Sequence, residues 1–163
     1  MTDAVLGIDL GTTEARAGVF DLTGNVLGIA SAGYPTDRDE TGRAEQDPSD
    51  WWAAAEAAIR GAVVAASERG AGGPRGAQGA RGARGARSIA AICGVGQGPT
   101  LVAVDRAGDP VRPAITWQDR RAGDGGFGLL PRIAWLAARE PEAVERARWL
   151  MTSWDALGLW LSG

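Results

Sequence analysis

From Ala4 to Tyr34 the chain reads as three extended segments joined by turns so short that each segment must pair with the next in antiparallel fashion. Ala4 to Leu10, Ala-Val-Leu-Gly-Ile-Asp-Leu, is a short apolar run expected to form a buried strand. Gly11-Thr12-Thr13 is a turn, and Ala15 to Leu22 is a second strand ending at Asp21. Thr23-Gly24-Asn25 is a hairpin signal, because Gly and Asn tolerate positive φ. Val26 to Tyr34 then completes a three-stranded meander.

Pro35 to Gln46 is polar and rich in charge, with Asp37, Arg38, Asp39, Glu40 and Arg43, so it is expected to be a loop. Asp47-Pro48 opens a helix: Asp47 suits the N-cap, Pro48 the first helical position and Asp50 the first turn. Trp51, Ala55, Ala58, Ile59, Ala62 and Val63 recur at helical spacing and form an apolar stripe. The helix should run to about Glu68, with Gly70 as its stop. Residues 70–87 are low complexity, with Gly at 73, 76, 79, 82 and 85 and Ala-Arg filling most triplets. A triple helix cannot be sustained by so few triplets, and the segment offers almost no apolar area to offset its ordering entropy. It is expected to be a flexible insertion within a single domain spanning residues 1–163.

Ile89 to Val95 is apolar throughout and is expected to be a central strand buried on both faces. The loop Gly94 to Pro99 follows, then a strand from Thr100 to Val104, a turn over Asp105 to Asp109 and an extended segment from Val111 to Trp117. Gln118 to Gly128 is polar and glycine-rich. Helices are expected over Leu129 to Ala138, with Ile133, Leu136 and Ala137 on one face, over Pro141 to Arg148, and from Asp155 to Leu161. The order of elements implies an α/β fold: an antiparallel meander, a helix, then a strand parallel to the first.

Composition narrows the chemistry. The 163 residues suffice for one domain with a real core. Apolar residues make up 45% and charged residues 23%, which excludes a disordered or membrane-embedded chain. All 17 basic residues are arginine, and there is no histidine. No P-loop lysine, Schiff base, Ser-His or Cys-His pair or H-E-x-x-H zinc site can therefore exist in this chain. Cys93 is the single cysteine, so an internal disulfide and a cysteine metal cluster are also excluded. A net charge of -3 gives no nucleic-acid signature. The acidic start Met1-Thr2-Asp3 and the short first apolar run give no signal peptide, and no stretch reaches transmembrane length, so a cytoplasmic location is expected with no membrane partner.

Chemistry must then rest on carboxylates, hydroxyls, arginines and backbone groups. Ile8-Asp9-Leu10-Gly11-Thr12-Thr13, with Arg16 just beyond, has the make-up of a phosphate and metal site. Gly11 admits close backbone approach. The turn N–H groups and the Thr12 and Thr13 hydroxyls can donate to phosphate oxygens. Asp9 can hold Mg²⁺, and Arg16 can supply a charged donor.

Val5 to Asp21 resembles the first phosphate-binding segment of the FGGY carbohydrate kinases, which belong to the actin/hexokinase superfamily with its ribonuclease-H-like fold. The resemblance continues through Glu45-Gln46-Asp47-Pro48-Ser49-Asp50-Trp51-Trp52, through Gly94-Val95-Gly96-Gln97 and Val104-Asp105, and through Pro110 to Arg121. It ends over Leu136 to Leu161, and it leaves out only the insertion. Five motifs in the family's order make it specific.

The resemblance implies ATP-dependent phosphorylation of a hydroxyl on a sugar, sugar acid or polyol, with xylulokinases among the similar enzymes. ATP phosphates and Mg²⁺ would lie at Asp9, Gly11, Thr12 and Thr13, with Asp9 on the metal and Arg16 near the transferred group. Substrate would be met by Gln97, Gly98 and Pro99 and by Trp117, followed by Gln118, Asp119, Arg120 and Arg121 at the rim. Gly98-Pro99 departs from the family: xylulokinases have Met-His there and glycerol kinases Arg-Glu, which implies a substrate other than glycerol or D-xylulose. The family's catalytic base falls in a later part of its N-terminal domain, so it is expected downstream of Gly163 and no catalytic base is assigned within these residues. Asp119 stands beside Arg120 and Arg121, which suits it poorly to that role. The segment alone is expected to be inactive and to need the rest of the kinase as a partner; a homodimer is compatible with the resemblance. A non-enzymatic ATP-binding or sugar-sensing module, or an inactive remnant, are the alternatives.

Overall fold

A computed structural model describes residues 3–71, 88–123 and 128–163. Strands β1 (Ala4–Leu10), β2 (Glu14–Asp21) and β3 (Val26–Gly33) form the expected meander. β1 and β2 pair antiparallel with Asp9 opposite Arg16, and β2 and β3 pair antiparallel with Arg16 opposite Ser31. The β2–β3 turn is tied by Asp21, whose carboxylate accepts from Thr23 N (2.9 Å), Thr23 Oγ1 (2.7 Å), Asn25 N (2.9 Å) and Asn25 Nδ2 (2.9 Å). These bonds, those to the Asn25 and Thr23 side chains foremost, hold the carboxyl well below its ordinary value of 3.8. Gly24 supplies the positive φ, at 90°.

Alternation in β1 decides which face is covered. Ala4, Leu6, Ile8 and Leu10 are buried, while Asp9 is exposed on the opposite face. Helix α1 (Pro48–Ala71) lies over the buried face, against β2 and β3. Its start is as expected: Asp47 Oδ1 accepts from Ser49 N at 2.8 Å. Its stripe is Trp51, Ala54, Ala55, Ala58 and Ala62; Val63 is exposed, which corrects its place in the stripe. Two glycines let the helix press onto the sheet. A Cβ at Gly28 would lie 2.1 Å from the Ala62 carbonyl oxygen, and one at Gly61 would lie 2.7 Å from Ala30 Cβ. Of residues 70–87, the described portion (70 and 71) is helical, and the expected insertion otherwise lies outside the described residues.

Strand β6 (Ile89–Gly96) pairs parallel with β1, as expected, giving the order β3-β2-β1-β6. It is an edge strand and is largely exposed, with Ile92 and Val95 more than half accessible, which corrects the expectation of burial on both faces. An apolar run shows that a strand is suited to burial but does not say which chain supplies the cover.

A second sheet has the order β4-β5-β8-β7-β9, from β4 (Asp37–Arg38), β5 (Ala44–Gln46), β7 (Leu101–Val104), β8 (Ala114–Ile115) and β9 (Trp149–Thr152). It corrects three expectations. Pro35 to Gln46 is a short hairpin and not a plain loop, and its Glu45 and Gln46 are buried. Within Val111 to Trp117 only Ala114–Ile115 is strand. The helix opened by Pro141 stops at Arg146, where β9 takes over to pair with β7. Helices α2 (Leu130–Arg139) and α3 (Pro141–Arg146) contribute Leu136 and Ala143 to a core with Leu101, Ala103 and Ile115; Ala137 is exposed, against expectation. Helix α4 (Ser153–Ser162) opens on a capping box between Thr152 and Asp155, two residues before its expected start. It closes on Gly163, whose φ is 85° and whose N–H donates to Leu159 O at 3.0 Å.

Candidate active site

The turn after β1 is held from three sides. Gly11 N donates to Glu14 O at 3.0 Å, closing the turn. The Tyr34 hydroxyl donates to Gly11 O, Tyr34 N to Thr13 O (3.1 Å), and Gln46 Nε2 to Thr12 O (2.8 Å). With its carbonyls turned inward and tied, the turn leaves the N–H groups of Thr12 and Thr13 without an acceptor among the described residues. Asp9 is exposed, and its carboxylate likewise has no hydrogen-bond partner among them. Burial, together with the charges of Asp9 and Glu14, raises the Tyr34 hydroxyl well above the ordinary phenol range, so it remains a donor.

Arg16 stands across the ladder from Asp9 and is engaged by Glu14, Nε to Oε1 at 2.6 Å. Hydrogen bonds from Arg16 and Ser31 hold the Glu14 carboxyl below its ordinary value. The pair is exposed, and such pairs contribute little, so Arg16 can turn to another anion at small cost. Asp9, Arg16, Ser31, Cys93 and Val95 line an open groove of about 520 Å³ on the uncovered face of the sheet.

Gln46 joins this turn to the substrate loop. It is buried, and besides Thr12 O its Nε2 donates to Thr36 Oγ1 (2.7 Å). Its Oε1 accepts from Trp51 Nε1 (2.9 Å) and Gln97 Nε2 (2.6 Å). One side chain thus links β1, α1 and the segment after β6. Gln97 is also buried, with its backbone N bonded to Leu10 O at 2.7 Å, and its Oε1 has no partner among the described residues.

Trp117 Nε1 donates to Thr12 Oγ1 at 3.1 Å, bringing a proposed substrate residue directly onto the phosphate turn. The ring is 46% exposed, so it is not a core tryptophan. Its loop is organised by Arg132, which lies buried on α2 and donates to Thr116 O (3.1 Å), Trp117 O (2.9 Å) and Gly128 O (3.1 Å). Pro99, Trp117, Gln118, Arg120 and Arg132 line a cleft of about 850 Å³. Gln118 Oε1 accepts from Arg38, and the Arg120 side chain is exposed.

Asp119 lines the same cleft, but its carboxylate is tied inward. It is buried, accepting from Ala44 N (2.9 Å) and from Arg121 Nη2 (2.7 Å) and Nε (3.1 Å). Arg121 and Arg112 also share Glu45, and Arg112 reaches Glu140. These groups clamp β5 to the segment around β8. Gly163, the mark beyond which the catalytic base is expected, has no part in the site itself. It is exposed, its only described role is to cap α4, and it lines neither the groove nor the cleft. The expected base lies outside the described residues.

The third glycine face belongs to α4. On the side of β6 that α4 covers, Gly94, Gly96 and Gly98 alternate. A Cβ on Gly94 would meet Leu157 at 3.2 Å, one on Gly96 would meet Ser153 Oγ at 2.7 Å, and one on Gly98 would meet the Trp154 ring at 2.5 Å. Tyr34, Gln46, Arg132 and Trp154 thus touch the candidate site residues, and sequence reasoning did not assign them. Alternating glycines could have flagged Trp154's neighbours, and a charge four residues before Leu136 on one helix face could have flagged Arg132.

Residues 4–124 match the N-terminal domain of the FGGY family of carbohydrate kinases. A xylulose kinase of Lactococcus lactis is 33% identical over 98% of this chain, which covers 33% of that relative. A glycerol kinase of Cereibacter sphaeroides is 35% identical over 90% of the chain, covering 26% of the relative. The fold superposes on the solved xylulose kinase of Rhodospirillum rubrum with a TM-score of 0.79 at 22% identity, over 96% of this chain and 33% of that one. The chain therefore spans about a quarter to a third of the length of these relatives. Chain-wide identity to these kinases, a matching domain and the same actin/hexokinase-like architecture agree: the chain belongs to the FGGY family of carbohydrate kinases.

Proposed function

We propose that these residues form the phosphate- and substrate-binding part of an ATP-dependent kinase acting on a hydroxyl of a small sugar, sugar acid or polyol. The observation that carries the reading is the direct bond from Trp117 Nε1 to Thr12 Oγ1, which sets the substrate cleft against the phosphate turn. Phosphoryl transfer depends mainly on positioning and charge stabilisation, which this contact and the Gln46 link would supply.

The residues fit ATP and Mg²⁺. Free N–H groups at Thr12 and Thr13 suit phosphate oxygens, and Asp9 offers an uncommitted carboxylate beside them. Mg²⁺ is commonly held by one or two carboxylates plus phosphates and water, so Asp9 alone is enough from this segment. The bound ion would neutralise charge on the transferring group. Gly11 lets the backbone come close, and Arg16, released from Glu14, would face the same phosphates. Substrate would lie along Gln97, Gly98, Pro99 and Trp117, with Gln118 and Arg120 at the cleft. Asp119 is held by Arg121 and acts as a brace. The base that takes the hydroxyl proton comes from beyond Gly163, outside these residues. With no side chain from Gly98 and a ring from Pro99, the substrate is neither glycerol nor D-xylulose.

Asp9→Asn in the complete kinase tests the reading. It keeps the size and removes the charge, and Mg²⁺-dependent turnover is expected to fall by about 10²-fold or more. Turnover near that of the parent enzyme would show that Asp9 does not hold the metal.

A further inference from the structure

The place of a side chain at position 98 is already taken. A Cβ built on Gly98 would lie 2.5 Å from Trp154 Cζ3, 2.8 Å from Cη2 and 3.7 Å from Cε3. All three atoms belong to the six-membered ring, on the side away from the indole nitrogen. What Trp154 sets against the substrate loop is therefore hydrocarbon, with no donor or acceptor. The ring is held there because α4 is pinned: Ser153 Oγ donates to Gln97 O at 2.5 Å, and Thr152 and Asp155 cap the helix. Trp154 nevertheless remains 42% exposed, so part of its surface is open to a ligand. Pro99 extends the same apolar wall and has no N–H. The buried Gln97 Oε1, one residue before Gly98, has no partner among the described residues and is an acceptor only.

We propose that Trp154 is a specificity-determining residue of this site, standing in for the missing side chain at position 98. Resting on the kinase reading above, the wall selects a sugar or polyol whose carbon at this end presents hydrogen and no hydroxyl, a terminally deoxygenated substrate. A hydroxyl turned onto the indole would be stripped of water and find no partner, whereas a methyl group would pack on the ring. Hydrogen-bond demand and apolar fit then push the same way, and a discrimination of about 10- to 100-fold is expected.

The test uses the complete kinase and a pair of sugars that differ only by the terminal hydroxyl remote from the phosphorylated one. kcat/KM is measured for both, and their equilibrium binding is measured by calorimetry without ATP. The parent enzyme should favour the deoxy sugar by about tenfold or more, and Trp154→Phe should keep that preference. Trp154→Gln should reverse it, and Gly98→Ala, which pushes the ring aside without touching Trp154, should weaken it. Equal handling of the two sugars by the parent enzyme would overturn the proposal. So would an unchanged ratio in Trp154→Gln with an unchanged melting temperature. Trp154-dependent binding of the deoxy sugar without any phosphorylation would uphold the wall and refute the kinase reading, and binding of neither sugar would refute both.

Discussion

Replacing Gln46 by leucine removes the link between the Gly11-Thr12-Thr13 turn and the loop at Gln97 while keeping much of its volume. Four hydrogen bonds go at once, and their costs differ. Trp51 is fully buried, so its indole N–H would be left with no acceptor, at about 1–3 kcal/mol. The Gln97 amide would lose its side-chain partner while only 7% exposed, at a similar cost of about 1–3 kcal/mol. Thr12 O and Thr36 Oγ1 are only partly buried and can rehydrate, at about 0.5 kcal/mol each. The extra apolar burial of leucine returns about 1 kcal/mol. The expected loss is about 2–6 kcal/mol, or about 4–24 °C in melting temperature at about 2–4 °C per kcal/mol for a domain of this size. Urea unfolding followed by tryptophan fluorescence would read it, with an unchanged m-value showing that the same surface is exposed. A variant within about 1 kcal/mol of the parent would refute the reasoning, because it would mean that water reaches the Trp51 nitrogen or that the network is not formed.

Gly28→Ala should cost about 3 kcal/mol or more, because its Cβ meets the backbone carbonyl of Ala62 and α1 must move off the sheet; an unchanged denaturation midpoint would contradict this. Glu45→Gln should cost about 3 kcal/mol, near the low end for a broken buried pair, since Arg112 keeps Glu140 and Arg121 keeps Asp119; chemical denaturation reads it. Asp21 has a depressed folded-state pKa, so its contribution is fully present above 3.8 and is lost as the pH falls below that value. Asp21→Asn should therefore flatten the acid limb of the stability curve between about pH 2 and 4, and parallel parent and variant curves there would exclude the hairpin carboxylate as a source of acid sensitivity.

The meander and α1 were legible in the sequence because their determinants are local. Thr23-Gly24-Asn25 sets its own turn, and Asp47-Pro48 starts a helix whatever surrounds it. The second sheet was legible only in part, at the strand expected over Thr100 to Val104. Its strands at Asp37–Arg38 and Ala114–Ile115 have two residues each, too short for any periodicity, and exist only because partners far along the chain complete them. Glu45 looked like a loop carboxylate for the same reason: the arginines that permit its burial lie 67 and 76 residues away. At the candidate site, the turn over Gly11-Thr12-Thr13 was legible from Asp9-Leu10-Gly11-Thr12-Thr13, since glycine and hydroxyl residues at a strand end are a local signature. The clamp role of Asp119 was not legible, because two neighbouring arginines suit a pocket rim as well as an internal clamp, and Asp119 both lines the cleft and holds Arg121. Trp154 lay beyond reach because what marks it is the empty space over Gly98, which only packing reveals.

The bond between Thr12 and Trp117 spans 105 residues, and that span fixes an order of events during synthesis. As the chain leaves the ribosome, β1 to β3 and α1 can assemble from contacts close in sequence, well before β8 exists. Until Ala114–Ile115 pairs with β5, however, nothing supplies the indole that meets Thr12, and Glu45 waits without Arg112 and Arg121. The nascent domain would therefore pass through a stage in which the sheet is native-like while one wall of its phosphate turn is missing. Distant pairings of this kind pay their loop-closure entropy late and slow the final step of folding. At that stage the turn would be held by its own Gly11–Glu14 bond, by Tyr34 and, once β5 is seated, by Gln46. On the kinase reading proposed above, competence to bind phosphate would arise late, when the second sheet closes.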